Sequence, residues 1–194
     1  FSSDKGGGEF FQIYSYDMNT GKNKMLTDGK SRNTNPVWNH SGTCFAFSST
    51  KRNGKDADIY LMNPKDSSSD LFLEVNGSWS VLDWSPKDDR LLILQNISVT
   101  ESYIYVVDTA TRVRMSVNPE KKMAYGGASF SKDGKGIYYT SDENGEFRQL
   151  IYLEWLTKTK TILSEKIPWD VSDFDLSLDG DRKSTRLNSS HVSE

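Results

Sequence analysis

Short apolar stretches recur along the chain and are separated by clusters of Gly, Pro, Asn, Asp and Ser. This pattern predicts β-strands joined by tight turns. Phe45 and Phe47 alternate with smaller residues, which places both side chains on one face of a sheet. The same alternation returns at positions 91 and 93 and at positions 137 and 139. Helical periodicity does not extend beyond two turns, so the sequence predicts an all-β protein.

The strand pattern repeats. Large apolar residues that precede a turn stand at intervals of 46 residues, at Trp38, Trp84, Phe130 and Leu176. A second series runs through the third strand of each unit, at intervals of 46, 45 and 47, and consists of Tyr14, Tyr60, Tyr105 and Tyr152. A repeat of this length is typical of propellers and solenoids. Trp38 and Trp84 are predicted to fill the space between neighbouring sheets.

Each repeat predicts four strands, which in the first complete unit cover 36–38, 44–48, 58–62 and 71–75. Four-stranded sheets repeated around an axis form a β-propeller, in which each sheet is one blade. We therefore predict a β-propeller fragment of four-stranded antiparallel blades over 1–180, with about three complete blades and partial blades at both ends. Residues 181–194 resemble the translation of a short-read sequencing adapter, and we predict that they are not native.

Composition narrows the function classes. The formal net charge is −3, the two signs are interspersed, and no basic patch for phosphates is present, so nucleic acid is not expected as a partner. The single cysteine, Cys44, excludes an intrachain disulfide. No apolar run is long enough for a membrane span. We expect no cofactor and no metal site. Because the chain begins with Phe1, the native N-terminus is expected to be missing, which leaves the compartment open.

Two sets of motifs carry a family resemblance. The turn Trp84-Ser85-Pro86-Lys87-Asp88 and the strand Asp58-Ile59-Tyr60-Leu61-Met62-Asn63 resemble the propeller repeats of TolB-like proteins and of the prolyl oligopeptidase family. The connecting stretches 26–36, 124–128 and 167–171 resemble those of bacterial prolyl oligopeptidase-family (acylaminoacyl-peptidase-like) serine peptidases. The resemblance covers 1–180, and a bacterial protein of the cytoplasm or periplasm is its implied source.

The peptidase resemblance implies a two-domain enzyme. In that family a propeller covers a C-terminal α/β-hydrolase domain, restricts which peptides reach the active site, and leaves cleavage to a Ser-His-Asp triad. None of the triad can be placed on this chain, because it has no G-x-S-x-G motif and His40 lies in a turn. We therefore expect a non-catalytic, substrate-gating propeller of a serine peptidase, with the hydrolase domain in cis and peptide substrates as partners. The alternative is a TolB-like protein-interaction propeller without enzymatic activity.

Candidate contact residues lie in the segments that join one unit to the next. Trp79 and Tyr125 are 46 residues apart, and Arg32 and Trp169 lie near the corresponding positions of other units. Exposed aromatic residues with an arginine suit peptide contact or a domain interface. The alternative is that the aromatic residues pack between blades.

Overall fold

The structure is a computed structural model, and it describes residues 1–4, 7–117, 122–177, 180 and 183–187. Within these residues every element is a β-strand, and the strands form five sheets. Sheet 1 contains β1 (Ser2–Ser3), β2 (Gln12–Asp17) and β3 (Lys22–Met25). Sheet 2 contains β4 (Asn33–Trp38), β5 (Phe45–Ser49), β6 (Asp58–Asn63) and β7 (Ser68–Leu73). Sheet 3 contains β8 (Ser78–Trp84), β9 (Arg90–Ser98), β10 (Glu101–Asp108) and β11 (Arg114–Ser116). Sheet 4 contains β12 (Tyr125–Phe130), β13 (Gly136–Ser141), β14 (Gln149–Glu154) and β15 (Lys160–Ile162), and sheet 5 contains β16 (Val171–Leu176) and β17 (Lys183–Leu187).

Consecutive strands pair antiparallel within each sheet, and the spatial order follows the chain order. The first strands β4, β8, β12 and β16 contact one another between sheets and therefore lie innermost. This architecture confirms the predicted fold class of four-stranded antiparallel blades. The strand β17 pairs with β16 at the position that the second strand of a blade occupies. The assignment of 181–194 as non-native stays a prediction, and 181–182 and 188–194 lie outside the described residues.

The sheet register corrects the predicted series of equivalent tyrosines in the third strands. Phe47 lies opposite Tyr60, Ile93 lies opposite Tyr105, and Tyr139 lies opposite Ile151. Ile151, and not Tyr152, is therefore equivalent to the other two third-strand residues. The predicted position was wrong because a shift of one residue moves a side chain to the other face of a sheet, and spacing alone did not distinguish the two neighbours. The Tyr152 ring instead packs on Tyr138, with ring centroids 4.8 Å apart.

The core lies between the sheets. In the second strand of sheet 2, Phe45 and Phe47 pack with Ile13 of sheet 1, as their alternation predicted. The intervening Ala46 packs with Trp84 of sheet 3 on the opposite face. All five residues of β5 are consequently buried. A blade between two others buries both of its faces, and this is why the second strands read as nearly continuous apolar runs.

The two tryptophans that precede a turn have different surroundings. Trp84 is buried, and its indole N–H donates to the carbonyl of Val37 in the neighbouring first strand at 3.0 Å. Trp38 is 52% exposed, so its predicted burial between sheets is wrong. In the described part of the chain sheet 1 has no first strand, and no equivalent of β4 covers the Trp38 ring.

Buried polar groups hold the segments that link the sheets. Asp58, fully buried at the start of β6, accepts hydrogen bonds from the guanidinium of Arg52 at 2.7 and 3.1 Å and from the Val75 N–H at 2.9 Å. Arg52 also donates to the carbonyl of Val75. These bonds take Val75 out of the strand ladder, so β7 ends at Leu73 and the predicted end at residue 75 is too late.

In sheet 1 Gln12 occupies the position that Asp58 occupies in sheet 2. Gln12 lies opposite Ser3, and Asp58 lies opposite Ser49.

Asp58→Asn should destabilise the protein by about 3 kcal/mol, because it leaves the partly buried Arg52 guanidinium without its best-placed carboxylate. The free energy of unfolding from urea titration measures the loss. Asp70→Asn, on the exposed face of β7, is the matched control and should change it by less than about 0.5 kcal/mol. Equal midpoints for the two variants would contradict the structural role of Asp58.

Gly136→Ala should also destabilise the protein, by about 1–3 kcal/mol, because a Cβ atom at this buried start of β13 would collide with the Tyr152 ring. Gly145 is the control, since a Cβ atom there meets no atom within 4 Å. In the Tyr152→Ala background the cost of Gly136→Ala should largely disappear, and a double-mutant cycle measures that coupling. If Gly136→Ala destabilised the Tyr152→Ala protein equally, the loss of stability would not come from a collision with the Tyr152 ring.

Candidate functional site

All innermost strands begin at the same end of the molecule. Because the strands alternate in direction, this end also carries the segments between sheets and the hairpins between second and third strands. We call it the link end, and the opposite end the turn end. The four predicted contact residues lie at the link end, namely Arg32 before β4, Trp79 in β8, Tyr125 at the start of β12 and Trp169 before β16.

Trp79 and Tyr125 are buried, with 4% and 6% of their surfaces exposed. The Trp79 indole N–H donates to the carbonyl of Asn76 at 2.9 Å, and its ring centroid lies 5.3 Å from that of Tyr105. Tyr125 makes an edge contact with the Tyr139 ring, at 5.4 Å between centroids. Of the two alternatives that the sequence left open, these two residues therefore follow the second and pack between blades, because both side chains face the preceding sheet.

Arg32 and Trp169 are exposed, as expected. The Arg32 guanidinium pairs with the Glu9 carboxylate at 2.7 Å, and both side chains are at least half exposed, so the pair contributes at most about 1 kcal/mol. Two hydrogen bonds fix the Arg32 segment to Thr50, just after the neighbouring strand β5: the Thr50 N–H donates to the Arg32 carbonyl, and the Arg32 N–H donates to the Thr50 hydroxyl. Trp169 is followed by Asp170, whose carboxylate accepts the Arg148 N–H at 2.8 Å. The link-end segments are thus held by hydrogen bonds to backbone groups and to the Thr50 and Asp170 side chains, while the Arg32 and Trp169 side chains reach solvent.

The sequence analysis missed a group of exposed apolar side chains at the link end. They lie in the hairpins between the second and third strands of sheets 1, 3 and 4, and comprise Phe10, Phe11, Ile97, Val99 and Phe147. At the turn end the outer turns of three sheets carry one exposed apolar residue each, Met18, Val113 and Leu156, and the exposed rings of Tyr16 and Trp38 also lie near this end. Single exposed apolar residues are ordinary, but at the link end the hairpins of three sheets each carry at least one of them. The sequence signal was an apolar residue inside a turn-rich segment, where folding does not require one.

Wedge-shaped grooves open between neighbouring sheets, outside the first strands. The groove between sheets 2 and 3 has a volume of about 500 Å³, and the corresponding groove between sheets 1 and 2 has about 190 Å³. Trp79 forms the floor of the larger groove, with Gln95, Tyr105 and Arg114 on one side and the Glu74–Asn76 segment on the other. A third cavity, of about 330 Å³, lies against β12 and β16.

The described residues do not assemble a catalytic constellation at the link end. They contain no group of three or more His, Cys, Asp or Glu side chains arranged to hold a metal ion. His40 lies at the turn end, where its N–H donates to Asp88 of the next sheet at 2.7 Å. Burial, together with the charge of Asp88, raises the pKa of the Cys44 thiol, which disfavours the reactive thiolate. In the described part of the chain no helix is long and apolar enough to cross a membrane.

Comparison with solved structures shows the fold. The chain is similar to TolB from Acinetobacter baumannii, with a TM-score of 0.75 and 20% identity over 94% of this chain and 45% of that one. It is also similar to a putative TolB from Agrobacterium tumefaciens, with a TM-score of 0.69 and 15% identity over 95% of this chain and 78% of that one. A prolyl endopeptidase structure matches with a TM-score of 0.55 and 13% identity over 79% of this chain and 26% of that one. No protein-family model and no curated protein sequence matches the chain.

These likenesses establish a β-propeller fragment similar to TolB. The chain spans 45% of the length of the Acinetobacter protein. At identities of 20% and below the comparisons establish the fold alone.

Proposed function

We propose that the chain is a non-catalytic β-propeller region that binds polypeptide through its link end. The observation that carries the proposal is the set of exposed apolar hairpin residues at that end, next to the exposed Trp169. Interfaces between proteins are enriched in aromatic residues and Arg, and the link end supplies Phe10, Phe11 and Arg32 as well. The rigid blades beneath hold these hairpins in fixed relative positions, which lowers the entropy cost of binding.

Two settings fit a polypeptide-binding propeller. In the first, the region gates substrate for a serine peptidase, and its link end contacts a C-terminal α/β-hydrolase domain in cis and the peptides that pass between them. The connecting stretches 26–36, 124–128 and 167–171 support this setting by their resemblance to the peptidase family. In the second, the propeller has no enzymatic activity and binds other proteins as a TolB-like module. The higher TM-score and coverage of the Acinetobacter TolB match support the second setting.

The reading frame downstream of this chain separates the two settings. For the peptidase setting we expect a G-x-S-x-G motif followed by Asp and then His, and a serine that a fluorophosphonate probe labels in the extended protein. An intact frame that ends without this motif, and an extended protein that the probe does not label, would exclude the gating role and leave the TolB-like role.

The binding surface itself can be tested with a fluorescein-labelled pool of random peptides. The double variant Ile97→Ser, Val99→Ser should weaken binding of the pool about tenfold, because each substitution removes apolar surface that a ligand would cover. Trp169→Ala should weaken it in the same direction. The matched control is Met18→Ser with Leu156→Ser, which changes two highly exposed apolar residues at the turn end and should leave the affinity unchanged. Equal effects of the two double variants, or no binding by the unaltered chain, would refute the proposal.

A further inference from the structure

The groove between sheets 2 and 3 contains a cation over an aromatic floor. The Arg114 guanidinium carbon lies 5.4 Å from the centroid of the Trp79 ring, and Arg114 is exposed at the start of β11. Among the described residues no carboxylate lies within ion-pair distance of Arg114. Glu74 lines the opposite side of the groove, and its carboxylate pairs with Arg52 at 3.4 Å. The groove therefore presents a guanidinium that stacking orients and that no described carboxylate neutralises.

The next blade shows what the same position binds when the chain supplies the ligand itself. Lys160 is equivalent to Arg114, because it is 46 residues further along and lies opposite Leu153 as Arg114 lies opposite Val107. The Lys160 ammonium pairs with the carboxylate of Glu143 at 2.6 Å. The other oxygen of Glu143 accepts the O–H of Tyr139 at 2.8 Å. The Glu143 side chain is only 2% exposed, so an internal carboxylate fills the space between sheets 3 and 4.

Sheet 3 does not supply that internal carboxylate. The residue 46 positions before Glu143 is Ile97, which is exposed. In sheet 3 the second strand β9 continues to Ser98 and stays paired with β10 as far as Glu101, so the chain does not turn at Ile97. In sheet 4 the second strand β13 ends at Ser141, and the chain turns early enough for Glu143 to reach Lys160. Both grooves lie between neighbouring sheets and contain a basic side chain at the equivalent position, Arg114 or Lys160. An internal carboxylate pairs with Lys160, and no described carboxylate pairs with Arg114.

We propose that the groove between sheets 2 and 3 binds a carboxylate of a polypeptide ligand, which Arg114 holds as Lys160 holds Glu143. The inference rests on the proposed polypeptide-binding function and names one chemical feature of the ligand. The guanidinium can donate two parallel hydrogen bonds to a carboxylate. The Tyr105 O–H, now directed at Gln95 at 3.3 Å, is placed to donate to the same ligand. Glu74 on the facing side repels a second acidic group, so the groove favours an acidic residue with neutral neighbours.

Blocked five-residue peptides test the groove directly. A peptide with a central Glu between Ala and Gly residues, acetylated and amidated, is compared by calorimetry with the same peptide carrying Gln. We expect the Glu peptide to bind the unaltered chain about tenfold more tightly at low salt, and this preference to shrink as salt rises. Arg114→Gln should abolish the preference, while Arg114→Lys should retain part of it. A Gln peptide with a free C-terminus is the second arm, and tight binding of this peptide would identify the ligand group as a chain terminus.

Arg112→Gln is the matched control. Arg112 is also an exposed arginine over an aromatic ring, 5.6 Å from the centroid of Phe72, but it does not line the groove. This variant makes the same change in charge two residues away and should keep the preference for the Glu peptide. Equal affinities for the blocked Glu and Gln peptides, or a preference that survives Arg114→Gln, would overturn the inference about the groove. Unchanged binding of the random peptide pool by the Ile97 and Val99 variant would count against the link-end proposal instead, so the two failures are distinguishable.

Discussion

Burial of each central sheet on both of its faces is the constraint on which the rest of this structure depends. A single four-stranded sheet of this repeat has apolar residues on both sides and cannot exclude water from them alone. Leu91 and Ile93 of β9 pack toward sheet 2, and Leu92 and Leu94 pack toward sheet 4. At about 25 cal/mol per Å² of apolar surface, this stacking supplies most of the stabilisation. The order of the sheets around the axis, and therefore the position of every loop, follows from it.

Polar groups then fix the loops at the two ends. Gln12, almost fully buried, accepts hydrogen bonds from Thr27 and from the Gly29 N–H and donates to the Ser31 carbonyl. Gln12 holds the segment between sheets 1 and 2 as Asp58 holds the segment between sheets 2 and 3. Nearer the axis the Asp83 carboxylate accepts the Ser129 O–H and the Phe130 N–H of the next first strand, at 2.6 and 2.8 Å. Buried polar groups of this kind add little net stability, but each disfavours any other arrangement of its loop.

This division of roles explains why the link end is suited to binding. The loops there are anchored at their bases, so the hairpins that extend beyond them carry side chains that the fold does not need for its own core. Val99 is 94% exposed at such a tip. In sheet 3 the long strands β9 and β10 carry Ile97 and Val99 out to an exposed tip and leave the groove above Trp79 open. In sheet 4 the strand β13 ends earlier, and the wider loop that follows places Glu143 in the equivalent space. Small differences between repeats therefore create binding features on a uniform scaffold.

The sequence by itself determined the repeat, the four strands of each blade and the all-β class, because strand alternation and turn residues act over a few neighbouring positions. It also placed the four candidate contact residues at one end, since equivalent positions of a repeat occupy equivalent places. Only the tertiary structure decided which of them are exposed. Trp79 and Tyr125 are buried because each faces the sheet before it, and Trp38 is exposed because sheet 1 has no described first strand to cover it. Those outcomes depend on contacts between residues about 46 positions apart, which local periodicity does not specify, and the pairing of Lys160 with Glu143 became visible only when the blades were compared in space.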